Sequence, residues 1–211
     1  MLLGGLILIR CILITGSPGV GKTTIAKALS HELRIPWLNV AQVVSSHNLG
    51  IYDPESDTYD VDVNVLRSTL IRTIKEDVIV DSVIPDILPK SMVKLVIVLR
   101  LDPIEMAKRL IKRGWKLRKI LENVEAELLS VITYEAVRYY GTNKVVEVNT
   151  TGKDVKTIVR EILDILKGRR RDEYKPFSID WLRRYRDPLD VSRKVLKMLK
   201  EPQLRADQEH S

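Results

Sequence analysis

The sequence predicts a three-layer α/β fold around a five-stranded parallel sheet, and three observations predict it. Short apolar runs recur near residues 12–15, 37–40, 78–81, 95–100 and 144–149. The segments between them space their apolar side chains as helices do, the pattern of strands buried on both faces under covering helices. The first run leads into Gly16-x-x-x-x-Gly21-Lys22-Thr23, a glycine-rich turn between a strand and a helix.

In order along the chain, a helix is predicted over 21–34, with Ile25, Ala28, Leu29 and Leu33 on one face and Pro36 ending it. Residues 37–40 form a short strand, and 41–60 read as irregular, ending in a loop rich in turn formers. An amphipathic helix follows over 62–77, then a buried strand ending at Asp81, a loop holding Pro85 and Pro89, and a strand over 95–99. Asp102-Pro103-Ile-Glu105 joins a capping carboxylate, a first-turn proline and a glutamate three residues past the cap, a strong helix start. That helix breaks at Gly114, a second runs over 116–140, the fifth strand spans 145–148, and a last domain helix reaches Lys167.

Length allows one substantial core, so residues 1–167 are read as a single domain and 168–211 as an appended, partly helical extension. The net charge is +7, and residues 168–200 hold eleven Lys/Arg against five Asp/Glu. The extension therefore suits an acidic or nucleic-acid partner, unless its helix simply packs back on the domain. The last eleven residues read as disordered. The apolar start, 1–9, lacks a basic leader and a cleavage site and reads as strand with a frayed beginning. No run reaches the roughly 18 apolar residues of a membrane span, and the one cysteine, Cys11, reads as a small buried hydrophobe in a reducing compartment. A cytoplasmic protein is expected.

The glycine-rich turn carries the chemistry. Gly16, Gly19 and Gly21 let backbone N–H groups converge on a polyphosphate, and the following helix adds the positive end of its dipole. Lys22 supplies an ammonium to the outer phosphates, the Thr23 hydroxyl a ligand for magnesium, and Thr24 a further phosphate contact. Asp81, at the end of a buried strand, is placed to orient the metal through water. Asp86 is either a second acid near the phosphates or a solvated loop residue. Arg109 and Arg113 share a helix face and either clamp a phosphoryl group or belong to a solvated basic surface with Lys108 and Lys112. His31, His47 and His210 have no partner pattern.

Taken with Asn39-Val40, Tyr52-Asp53, Asp57, Tyr59, Val98-Leu-Arg100, Arg113-Gly114-Trp115, Lys119, Glu122-Asn123 and Glu127, these motifs resemble one family. It is the adenylate-kinase-like NTPases of the isoenzyme six type, used in the eukaryotic nucleus and in small ribosomal subunit maturation, with their archaeal counterparts. The similarity covers residues 8 to about 167. It implies a P-loop nucleoside monophosphate kinase fold with a monophosphate region near 39–62 and a very short lid near 113–119. It implies an ATP site of Gly19, Gly21, Lys22, Thr23, Thr24, Arg113 and Lys153, with Arg113 a phosphate ligand. Phosphoryl transfer from ATP to AMP is implied, with ATP hydrolysis alongside, and as partners a ribosomal protein of the small-subunit platform and rRNA. The alternative is an ATP-switched assembly factor with secondary catalysis.

Two departures bear on that implication. The family commonly ends its third strand Asp-x-His, where this chain has Asp81-Ser82-Val83. A valine can neither position a water nor polarise a phosphate. After Asn39-Val40 the family continues Gly-Asp-Leu-Ala-Arg, where this chain has Ala41-Gln-Val-Val-Ser45. The acceptor phosphate thereby loses a bidentate guanidinium.

Overall fold

A computed structural model describes residues 10–54, 58–169 and 171–200. The readings made for residues 1–9, Asp57, Arg170 and the last eleven residues fall outside these. Five strands, β1 (Cys11–Thr15), β2 (Trp37–Asn39), β5 (Val78–Asp81), β6 (Val93–Arg100) and β7 (Val145–Asn149), form one parallel sheet in the order β2-β5-β1-β6-β7. Each central strand buries both faces. In β1, Ile12 and Ile14 join the core on one side, while Cys11 and Leu13 join the core on the other. In β6, Ile97 and Leu99 alternate with Val96 and Val98 in the same way. A helix layer on each face is what such two-sided apolar strands require.

On the first face lie α1 (Lys22–Leu33), α4 (Pro103–Lys112), α5 (Leu117–Leu128) and α7 (Val155–Leu166); α3 (Val63–Thr73) and α6 (Val131–Tyr140) bring Leu66, Leu70, Ala136 and Tyr140 to the second. Cys11 is fully buried, and burial pushes its thiol up to about 11, with Asp77 adding to the shift. Among the described residues no helix is long and apolar enough to cross a membrane.

Two expectations are corrected. Residues 41–60 are not irregular: they hold α2 (Val40–Ser46), capped by the Asn39 side chain accepting from Gln42 N, and an antiparallel hairpin of β3 (Gly50–Asp53) and β4 (Thr58–Val61). Tyr52 and Tyr59 pair across the hairpin with ring centroids 5.3 Å apart. The helix over 116–140 is two helices, because Ser130 adopts a left-handed φ of 56° between α5 and α6. Capping at Asp102 stands, since its side chain accepts from Ile104 N and Glu105 N; Glu105, instead of returning the bond, pairs with Arg109.

The extension does not stand apart from the nucleotide fold. Its helices α8 (Trp181–Tyr185) and α9 (Pro188–Lys200) lay Trp181, Val191 and Val195 into the same core as α4 and α5. Each of the three is 3% exposed or less. The period of 3.6 in α9 is thus a packing face, with its Lys and Arg on the outside.

Candidate functional site

Strand order sets the location. β1 is flanked by β5 and β6, so consecutive connections leave its carboxyl end in opposite directions and open a crevice there. Register does the fine placement: Asp81 lies beside Ile14 on one side and Asn39 on the other, which puts the ends of β1, β2 and β5 level. A cleft of about 280 Å³ opens above them.

One end of the cleft is the glycine-rich turn. At Gly16, φ is 139° and a Cβ would collide with the Leu99 carbonyl, so only glycine lets β1 turn this close to β6. Gly21 caps α1 without a side-chain bond, which leaves the first amides of the helix without a capping partner. Lys22 is buried and its Nζ donates to the Ser17 carbonyl at 3.1 Å. Burial lowers its pKa to about 8; Asp81 and Glu127 oppose that shift and the Arg113 guanidinium adds to it. The ammonium remains charged at pH 7.

Thr23 Oγ1 donates to Asp81 Oδ2 at 2.6 Å, and Asn39 Nδ2 donates to the same oxygen at 2.7 Å. A hydroxyl and a carboxylate held side by side at a phosphate-binding turn are hard oxygen donors of the kind magnesium takes. Asn39 was noted in sequence only as a family match; here it orients the carboxylate.

Arg113 reaches the cleft through a helix ending. Gly114 N donates to Ile111 O at 2.9 Å and Trp115 N to Leu110 O at 3.2 Å, with Gly114 at φ 75°. This is the Schellman pattern, which needs a left-handed residue where glycine stands. It turns Arg113 and Trp115 into the lining of the same cleft as Lys22. Gly19, Gly21, Thr23 and Thr24 line the cleft as well.

Two predicted site residues are not brought in. Arg109 is not in a clamp with Arg113: it donates to the Gly19 carbonyl at 3.1 Å and pairs with Glu105, bracing the turn from behind. Arg113 caps α4 instead of continuing it, so the shared helical face is lost. Lys153 donates to both oxygens of Glu161, at 2.7 and 2.8 Å, and does not line the cleft. Asp86 turns to Arg67 and lines a neighbouring chamber with Glu135 and Arg138.

The far end of the cleft differs in kind. Ala41 and Val44 of α2, Tyr59 and Val61 of β4, Leu66, Val83 and Ile84 line it. Val83 is therefore at the wall, while Ser45 is exposed on α2 and outside the lining. Among the described residues lining the cleft, Lys22 and Arg113 are the cations.

Beneath the turn lies a charged cluster that received no role from the sequence. Arg100, 1% exposed, donates from Nε to Glu127 Oε1 at 2.6 Å and pairs through Nη1 with Glu147. Glu127 Oε2 accepts from Ser17 Oγ at 2.8 Å. The signal available was a charge inside each of two apolar strands, Arg100 and Glu147, since buried charges require partners.

Residues 12–130 match the family model described as AAA domain. A protein of Methanocaldococcus jannaschii named "Putative adenylate kinase" is 35% identical over 183 residues, covering 85% of this chain and 97% of the relative. One of the same name from Thermococcus kodakarensis is 37% identical over 183 residues, covering 86% of this chain and 98% of the relative. Among solved structures, a gluconokinase from Sinorhizobium meliloti 1021 superposes with a TM-score of 0.51 at 17% identity, covering 76% of this chain and 93% of its own, a likeness of fold.

Proposed function

The chain belongs to the adenylate-kinase-like P-loop nucleoside monophosphate kinase family, and from that premise we propose that it transfers the γ-phosphoryl group of ATP to AMP, giving two ADP. The observation that carries this reading is the two-ended cleft. One end supplies backbone donors, Lys22, Thr23, Asp81 and Arg113; the other is an apolar chamber of a size and character to hold a base.

In this reading an oxygen of the acceptor phosphate attacks the γ-phosphorus while the bond to the β–γ bridging oxygen breaks and ADP leaves. There is little covalent chemistry for the protein to perform, so placement and charge carry the catalysis. Lys22, charged at neutral pH, and Arg113, with a planar fork, spread the charge of the transferring group. Thr23 and Asp81 would hold magnesium, which supplies charge neutralisation on the phosphates when bound, and Asn39 keeps the Asp81 carboxylate turned toward it. Lys153 would serve the ATP site by leaving Glu161. Val83 offers a water neither donor nor acceptor, which favours transfer over hydrolysis. Without an arginine near Ser45, the acceptor phosphate shares Lys22 and Arg113 with the donor, and its affinity is correspondingly weak.

A coupled assay with AMP, GMP, CMP and UMP tests the proposal. AMP should be preferred; ATP binding without transfer to any monophosphate would remove the kinase reading.

The cation-poor acceptor end, together with exposed Arg183, Arg186 and Lys197 on the extension, favours a second reading. There the chain is a cytoplasmic ATP-switched assembly factor of the small ribosomal subunit, holding a ribosomal protein or rRNA, with ATPase activity secondary. Pull-down with wild type and Lys22→Ala, with and without ATP, separates the two, because only a switch ties partner capture to the nucleotide. Steep loss of RNA binding with salt would mark phosphate contacts by the extension.

A further inference from the structure

One buried carboxylate links the extension to the phosphate-binding turn. Glu127, 2% exposed, divides its two oxygens between distant parts of the chain. Oε2 accepts from Ser17 Oγ, within the turn, at 2.8 Å. Oε1 accepts from Arg100 Nε at 2.6 Å and from Trp181 Nε1, within the extension, at 3.1 Å. Ser17 in turn offers its carbonyl to the Lys22 ammonium. An unbroken line of hydrogen bonds therefore runs from Trp181 to the lysine that meets the phosphates.

Charge gives each donor on the line weight. The cluster holds one guanidinium, Arg100, against two carboxylates, Glu127 and Glu147, so it is one negative charge in excess. Neutral donors make up the deficit: Thr133 O–H on Glu147 at 2.6 Å and Leu101 N–H on Glu127 at 3.3 Å come from the domain itself, Ser17 O–H from the turn, and Trp181 N–H and Ile179 N–H, the latter donating to Glu147 Oε2 at 3.1 Å, from the extension. A buried carboxylate stripped of a donor pulls harder on those that remain. Removing Trp181 thus changes what Glu127 asks of Ser17.

A second grip is parallel to the first. Tyr185 donates its hydroxyl to Asp102 Oδ2 at 2.6 Å, and Arg184 reaches the same oxygen at 3.5 Å. Asp102 is the cap of α4, the helix whose Arg109 braces the Gly19 carbonyl and whose end presents Arg113.

We infer that Glu127 and Trp181 are positioning residues for ATP: the extension holds Ser17, and through it the phosphate-binding turn and Lys22, in the shape that receives the polyphosphate. The inference rests on the proposed ATP site and adds to it a part of the chain beyond the kinase domain. Linkage makes it reciprocal, so nucleotide bound at the turn should also tighten the docking of the extension.

Trp181→Phe keeps the ring and removes only the N–H. Measured by calorimetry on the full chain with a non-hydrolysable MgATP analogue, it should raise Kd roughly fivefold or more, a typical coupling between sites. In steady state KM for ATP should rise while kcat at saturating ATP holds. Ser17→Ala alone should weaken binding too, and the double variant should be little worse than the worse single one, since both cut the same line. A lower Tm with Kd unchanged in Trp181→Phe, or two effects that multiply independently, would overturn the inference and leave the ATP site standing. Absence of saturation in the wild type would remove both. Should the variants not fold, amide exchange of residues 179–186 in the wild type decides: slower exchange with the analogue bound supports the line, and unchanged exchange overturns it.

Discussion

The two ends of the cleft are built from different materials. At the phosphate-binding end polar groups hold one another in place: Lys22 on the Ser17 carbonyl, Thr23 on Asp81, Asp81 on Asn39, and the Gly19 carbonyl on Arg109. At the apolar end Ala41, Val44, Tyr59, Val61, Val83 and Ile84 offer shape and apolar surface, with no guanidinium among the described residues there. A preorganised polar end gives affinity and rate for one defined group. An apolar end gives room, with specificity left to fit. Under the proposed reading, the contrast makes ATP the substrate this chain is most committed to and leaves the acceptor held chiefly by its base.

Changes at the polar end should therefore cost most. Lys22→Ala removes the buried ammonium at the turn and should lower kcat/KM by roughly a hundredfold or more, as read in the coupled assay. Asp81→Asn keeps the shape and one acceptor oxygen for Thr23 but loses the charge. Activity should fall roughly ten- to a hundredfold, with a higher magnesium requirement as the diagnostic. Arg113→Lys preserves the charge and discards the fork, and a drop of about tenfold is expected, shared between KM for ATP and for AMP. A loss confined to ATP would show that the acceptor phosphate has a cation elsewhere and would break the contrast. The smallest effect belongs to the apolar end, where Val83→His should raise ATP hydrolysis severalfold and leave transfer nearly unchanged.

The contrast also has a pH signature. Folded Lys22 titrates near 8 against an ordinary 10.5. Between those values the unfolded chain binds more protons, so the stability of the free protein rises with pH across that window. A bound polyphosphate favours the charged form, so binding above pH 8 takes up a proton and weakens as pH rises. Calorimetry in buffers of different ionisation enthalpy reads that uptake directly.

Legibility in the sequence follows the same division. The P-loop end was readable because each residue is tied to a local cause, glycines for a turn, a lysine and threonine at a helix start, a carboxylate at a strand end. The five sheet strands and the order of their helices were readable from continuous apolar runs. What was missed depends on distant partners. The hairpin at 50–61 owes its form to cross-strand pairing of Tyr52 and Tyr59, which composition rich in turn formers concealed. Arg109 and Arg113 looked alike at a spacing of four, and only the glycine ending of α4 separates them into a brace and a cleft residue. Trp181 looked like part of a charged tail because its partner, Glu127, is 54 residues away.

The most direct measurement is calorimetric titration of the folded wild-type chain with ATP at pH 7, with and without magnesium. The account predicts saturable binding at one site per chain, tightened by the metal. Heats that never saturate, or a curve indifferent to replacement of Lys22 by alanine, would contradict it.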